Sequence, residues 1–116
     1  MDGAAGVAKD MAEGNEYFEK GCKMGHAKSC NALSHSYVSG DGVKRDVGRA
    51  ASLAHEACEG AYAAGCGTYG IMMAEGIAGP KDTGAAQPFL NVACRADIKE
   101  ACDELKAQGF PPPAKP

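Results

Sequence analysis

The chain has 116 residues, enough for one domain and too few for two. Only 15 of the 116 are Ile, Leu, Val or Phe, while Ala and Gly together supply 38, so burial of large side chains alone is a thin basis for a fold. A net charge of −3 argues against a charged, disordered chain and leaves no basic footprint for nucleic acid. No apolar run reaches the roughly 18 residues of a membrane-spanning helix.

In chain order, the first expected helix covers about residues 4–22 and ends at Met24-Gly25. The second covers 27–39, with Ala32, Leu33, Ser36 and Tyr37 at helical spacing, and stops at Gly40-Asp41-Gly42. Asp46 is a candidate cap for a third helix running to about Glu59, with Leu53, Ala54, Ala57 and Cys58 on one stripe. The fourth runs from Tyr62 to Glu75 and stops at Gly76. Asp82 is a candidate cap for the fifth, which ends at Arg95. Because a proline inside a helix costs about 3 kcal/mol outside the first turn, Pro88 predicts a late start near Ala86 or Gln87, or a kink. Residues 97–108 form the last helix, and Phe110-Pro111-Pro112-Pro113 is expected to be extended.

Six cysteines impose a period on these elements. Cys22, Cys58 and Cys94 are spaced 36 apart, as are Cys30, Cys66 and Cys102. Residues 27–62 laid over 63–98 also match Ala27/Ala63, Gly40/Gly76, Asp46/Asp82, Gly48/Gly84, Ala50/Ala86 and Ala57/Ala93. Backwards, Asp10 falls on Asp46 and Gly14 on Ala50. The period divides the chain into a half repeat at 4–25, repeats at 26–61 and 62–96, a half repeat at 97–108 and a Pro-rich tail at 109–116. A helical unit of this length with one mid-unit turn predicts an all-α solenoid of antiparallel helix pairs.

Gly40, Gly42, Val43, Asp46 and Ala50 fill the pattern G-x-G-V-x-x-D-x-x-x-A, and in this the chain resembles the Sel1-like repeat family. The second copy keeps Gly76, Asp82 and Ala86 but reads Ala78-Gly79 where Gly-Val is usual. Ala57-Cys58-Glu59-Gly60 and Ala101-Cys102 are similar to the cysteine-rich branch of that family. The branch includes secreted bacterial proteins and a mitochondrial intermembrane-space protein that assists cytochrome c oxidase assembly. The resemblance covers residues 10–105 and implies a TPR-like fold with disulfides.

The C-x₇-C spacing, with no C-x-x-C, does not suit structural zinc or thioredoxin-like chemistry, and an even count at a strict period favours a disulfide framework. A 30–58 and 66–94 pairing is sterically conceivable but strands Cys22 and Cys102. The local pairing Cys22–Cys30, Cys58–Cys66 and Cys94–Cys102 uses all six and is the one the resemblance implies. Disulfides call for an oxidising compartment. Met1–Asp10 lacks the basic and long apolar regions of a signal peptide and is not Arg-rich. With the resemblance, that points to the mitochondrial intermembrane space; a periplasmic or secreted protein is the alternative.

His26, His35 and His55 read as surface or interhelical polar residues rather than metal or haem ligands. Tyr17, Phe18, Tyr37, Tyr62, Tyr69 and Phe89, at helical spacing, read as packing rather than a binding stripe, as do Met72 and Met73. Glu13, Glu16 and Glu19 form a solvated helix face. No Ser/His/Asp set, HExxH, P-loop or GxGxxG is present, so no catalytic, metal or cofactor-binding residue is expected and the chain is read as a non-enzyme. Two function classes remain. One is an interaction module, an accessory subunit or assembly factor held by protein subunits of a respiratory complex. The other is a thiol-redox or haem-handling protein. The sparse core, the absence of polar caps on the half repeats and the proline-stiffened tail favour the first.

Overall fold

A computed structural model describes residues 2–114, with side chains from residue 11 onward. Six helices and no strand occur among the described residues: α1 (Asp2–Lys23), α2 (Ala27–Ser39), α3 (Val47–Glu59), α4 (Ala63–Glu75), α5 (Thr83–Arg95) and α6 (Lys99–Ala107). Each helix packs antiparallel on the next, and α4 also touches both α2 and α6. The result is elongated, 49 × 26 × 22 Å. It is an all-α solenoid.

The local chemistry explains most boundaries. Gly40 and Gly76 close α2 and α4 with left-handed backbones, φ 77° and 68°, where an L side chain would be strained. Asp46 and Asp82 open α3 and α5. Their carboxylates accept the backbone N–H of Arg49 (3.1 Å) and Ala85 (3.0 Å), groups the helix itself cannot pair. Asp46→Ala and Asp82→Ala should each lower stability by about 1 kcal/mol, read by denaturant unfolding. Replacement by Asn should recover most of it.

The fifth helix differs from expectation. It begins at Thr83, directly after its cap, and runs through Pro88 without interruption. Pro88 leaves the Gly84 carbonyl without its intrahelical partner. Both residues are exposed, so water can serve that carbonyl. The first helix also runs continuously through Asp10, so the position that matches the capping Asp46 lies inside a helix there.

The core is built of small residues around four leucines. Leu33, Leu53, Leu90 and Leu105 are fully buried, and Ala50, Ala54, Ala57, Ala74, Ala86, Ala93 and Ala101 have no exposed surface. Alanine at these positions brings helix backbones close, and Ser34 Oγ uses that proximity to donate to the Ala50 carbonyl at 2.6 Å. The tail turns back rather than away: Phe110 packs on the Leu90–Leu105 cluster, its N–H donates to the Leu105 carbonyl at 2.9 Å, and Arg95 Nε donates to the Ala114 carbonyl at 3.1 Å. Of the expected tail, residues 115 and 116 lie outside the described residues, as does Met1.

Candidate functional site

Three helix junctions are stapled. The structure joins Cys22 to Cys30, Cys58 to Cys66 and Cys94 to Cys102, with Cα atoms 4.6, 4.4 and 4.8 Å apart. Each bond ties the end of one helix to the first turn of the next. One residue before each pair stands a pair of small residues: Gly21 with Ser29, Ala57 with Gly65, Ala93 with Ala101. A Cβ at Gly65 would lie 2.6 Å from Ala57 Cβ and one at Gly21 would lie 2.9 Å from Ser29 Cβ, so the staples and the missing side chains belong to one close approach.

The turn between stapled helices repeats as well. Gly25, Ala61 and Asp97, each 36 residues apart, all take a left-handed backbone, φ 88°, 65° and 63°. Only the first is the residue that tolerates it freely. Ala61→Gly should therefore stabilise the chain by about 0.5–1 kcal/mol, the relief of strain exceeding the added freedom of the unfolded chain. A fall in thermal midpoint would contradict this.

The signature residues serve the fold. Gly40 caps α2, Asp46 caps α3, and Ala50 and Ala86 are fully buried against neighbouring helices. Gly42 (φ 75°) lies so close to α1 that a Cβ would meet Met11 and Ala12 backbone at 2.7 Å. Asn15 Nδ2 donates to the Asp41 carbonyl beside it, at 2.6 Å. Val43 is half-buried in the same loop, and Gly76 and Asp82 repeat the capping roles at α4 and α5.

The aromatic residues do not form one stripe. Tyr69 and Phe89 meet edge to face at 4.9 Å, and the His55 ring lies 4.7 Å from Tyr69, making one cluster across α3, α4 and α5. Tyr37 sits 5.4 Å beneath the Arg49 guanidinium, which also pairs with Glu19 of α1 at 2.6 Å. Tyr17 is 75% exposed. His55 Nδ1 stands 3.4 Å from Glu59 Oε1. Glu59 lies four residues after His55, a spacing that is legible in the sequence itself. Among the described residues no three His, Cys, Asp or Glu side chains come together as a metal site, and no helix is long and apolar enough to cross a membrane.

Two carboxyls meet at the C-terminal end of the array. Glu75 shares a side-chain hydrogen bond with Glu104, and that bond, followed by partial burial and the Glu104 charge, raises its pKa. Such a shared bond needs a proton, so a folded pKa above the unfolded value adds stability at low pH and loses it as pH rises through the folded pKa. Glu75→Gln should make stability less dependent on pH across the carboxylate range, with a small effect because the site is exposed. Unfolding titrations at acid and neutral pH read the difference.

One surface is neither staple nor capping loop. Two buried side-chain oxygens among the described residues lack hydrogen-bond partners, Asn31 Oδ1 and Asn91 Oδ1. Asn31 lines an apolar groove of about 450 Å³ between α2, α4 and the start of α6. Part of its lining recurs at the 36-residue period, Asn31 with Gly67, His35 with Ile71 and Ala64 with Glu100, but only stacking brings these helices together around it.

Comparison with known proteins follows the architecture. No family model matches the chain. A 43-residue stretch, 37% of this chain, is 42% identical to cytochrome c oxidase assembly factor 7A of Xenopus laevis, covering 19% of that protein. Among solved structures, the Helicobacter pylori cysteine rich protein B (hcpB) superposes with a TM-score of 0.71 at 28% identity, over 77% of this chain and 67% of that one. A Sel1 repeat protein from Oxalobacter formigenes superposes with a TM-score of 0.72 at 24% identity, over 84% of this chain and 42% of that one. The chain thus spans about a fifth of the length of the assembly factor and less than half of the Oxalobacter protein. With its antiparallel pairs, repeated caps and three staples, the chain is a disulfide-bonded α-solenoid of the Sel1-repeat fold.

Proposed function

We propose that the chain is a non-catalytic interaction module, an accessory subunit or assembly factor docked on the intermembrane-space side of a mitochondrial respiratory complex. The Sel1-repeat fold supports a protein-binding role, since stacked helix pairs expose an extended surface for partners. The observation that carries the finer reading is the 43-residue match, at 42% identity, to a protein named for cytochrome c oxidase assembly. The three disulfides agree with an oxidising compartment. A periplasmic or secreted setting is the second reading, favoured by the likeness to the Helicobacter cysteine rich protein over 77% of the chain. Each cysteine is held in a disulfide and none is free among the described residues, which leaves no standing thiolate nucleophile.

The test is co-purification of the tagged chain from solubilised native membranes, with mass spectrometry of its companions and native gels. Respiratory-complex subunits in stoichiometric recovery support the proposal. A chain that runs as a free monomer and brings down no membrane subunit overturns it. The partner should also raise the chain's thermal midpoint, because it binds the folded state only.

A further inference from the structure

Three of the four large apolar side chains exposed among the described residues lie on α1 or directly after it: Met11, Tyr17 and Met24. The 36-residue period shows what covers such positions elsewhere. Gly14, Tyr17 and Phe18 of α1 stand where α3 has Ala50, Leu53 and Ala54 and α5 has Ala86, Phe89 and Leu90. In α3 and α5 the preceding helix lies over them. Ser34 of α2 donates to the Ala50 carbonyl, and α4 sets Gly70 against Leu90 and Tyr69 against Phe89. Ala50, Ala54, Ala86 and Leu90 consequently have no exposed surface. Among the described residues α1 packs on α2 alone. Tyr17 is 75% exposed, and a Cβ at Gly14 would meet nothing within 4 Å.

The opposite end of the array does not fit this strip. α6 stands in the register of α2 and α4, but where α4 offers Gly67 and Gly70 to α5 it carries the exposed, charged Asp103 and Lys106. Stacking α6 of one chain on α1 of another would press those charges into an apolar contact. α1 is instead complementary to itself. Glu13 and Lys20 are both exposed and lie seven residues apart, two helical turns, so they flank the strip on the same side. Two α1 helices laid antiparallel about a two-fold axis near residues 16 and 17 set Glu13 of each beside Lys20 of the other. Tyr17 then meets its own copy, and Phe18 enters the space left open at Gly14. Met11 aligns with Val47 and Thr83, the first residues of α3 and α5, so α1 has residues 2–10 in addition. In the antiparallel pair this extra length runs past Met24 of the second copy.

We propose that α1 is a homodimer interface, in which the strip of Met11, Gly14, Tyr17 and Phe18 is covered by the same strip of a second copy of this chain. The contact is isologous, so it closes at two chains and does not propagate. It stands on the repeat geometry and is independent of the respiratory-complex reading. One helix pair buries less than a standard interface, about 800 Å² per partner, so the dimer is reversible and concentration-dependent.

Sedimentation velocity of the oxidised full chain, from micromolar to millimolar concentration, reads the assembly. Zero-length carbodiimide coupling of mixed ¹⁴N- and ¹⁵N-labelled chains, followed by mass spectrometry, reads the contact. A dimer that grows with concentration and a mixed-isotope cross-link between Glu13 and Lys20 are expected. Tyr17→Ala and Gly14→Leu should each weaken the dimer at least about tenfold. Gly14→Leu should not lower the thermal midpoint of the monomer, because the site is open there, so loss of the dimer is not loss of the fold. Glu13→Lys and Lys20→Glu should each weaken the dimer and together restore it. Val92→Ala, at the exposed apolar residue of α5, should leave it unchanged. A monomer at every concentration, cross-links confined to other residues, or a dimer indifferent to both Gly14→Leu and Tyr17→Ala overturns the proposal. A chain that stays monomeric alone and buries Tyr17 only in a complex with a different protein overturns it too, the strip then belonging to that partner.

Discussion

Reduction of the disulfides should unfold the isolated chain under conditions where the oxidised chain is fully helical. Each bond closes a loop of nine residues and contributes about 2–3 kcal/mol in the loop-entropy account. Three of them match the net stability of a small domain, about 5–15 kcal/mol. What remains after reduction is a core of four buried leucines and fully covered alanines, with little apolar area per helix. Far-ultraviolet dichroism during heating, with and without a phosphine reductant, reads the effect, and intact mass should rise by two hydrogens per bond reduced. The double variant Cys58→Ser with Cys66→Ser isolates the junction between the two complete repeats and should cost about 2–3 kcal/mol by itself. A reduced chain that melts within a few degrees of the oxidised one would show that the small-residue packing is sufficient.

Leu90→Ala should be the most damaging single substitution in the core, at about 3–4 kcal/mol. Leu90 has no exposed surface and lies at the centre of the cluster formed by Ala74, Ala86, Ala93, Ala101 and Leu105. The cost of such a truncation depends on how far neighbours can collapse into the hole. Here most of the buried neighbours are alanines, with Gly70 beside them, and these have no side-chain freedom with which to refill it; any refilling is left to Leu105 and the partly buried Ile71, Met73, Ile98 and Phe110. Gly70 is fitted to Leu90 so closely that a Cβ there would stand 2.9 Å from Leu90 Cγ. Gly70→Ala should therefore also destabilise, by overpacking, at about 1–3 kcal/mol. Equilibrium denaturation of both variants measures this, and a loss below about 1 kcal/mol for Leu90→Ala would mean that α4 and α5 close over the gap.

These effects depend on how far each feature is a local matter. The glycine stops at Gly40 and Gly76 and the aspartate caps at Asp46 and Asp82 act within one helical turn, and the 36-residue period of cysteines and small residues is carried by the chain itself. The sequence by itself therefore determined the helix order, the repeat and the all-α solenoid. Pro88 departs from its expected effect because the penalty of a helical proline depends on whether the orphaned carbonyl is wet, and only the packed array puts Gly84 and Pro88 on the outside of α5. Phe110 packs on the Leu90–Leu105 cluster, an apolar surface that exists only once α5 and α6 are stacked. The left-handed turns at Ala61 and Asp97 carry no glycine signal, and it is the stapled approach of successive helices that imposes them. The groove is the furthest from sequence. Asn31, Ile71 and Ile98 come from three different helix starts and interiors 27 or more residues apart, and only the stacking of α2, α4 and α6 makes them the walls of one groove.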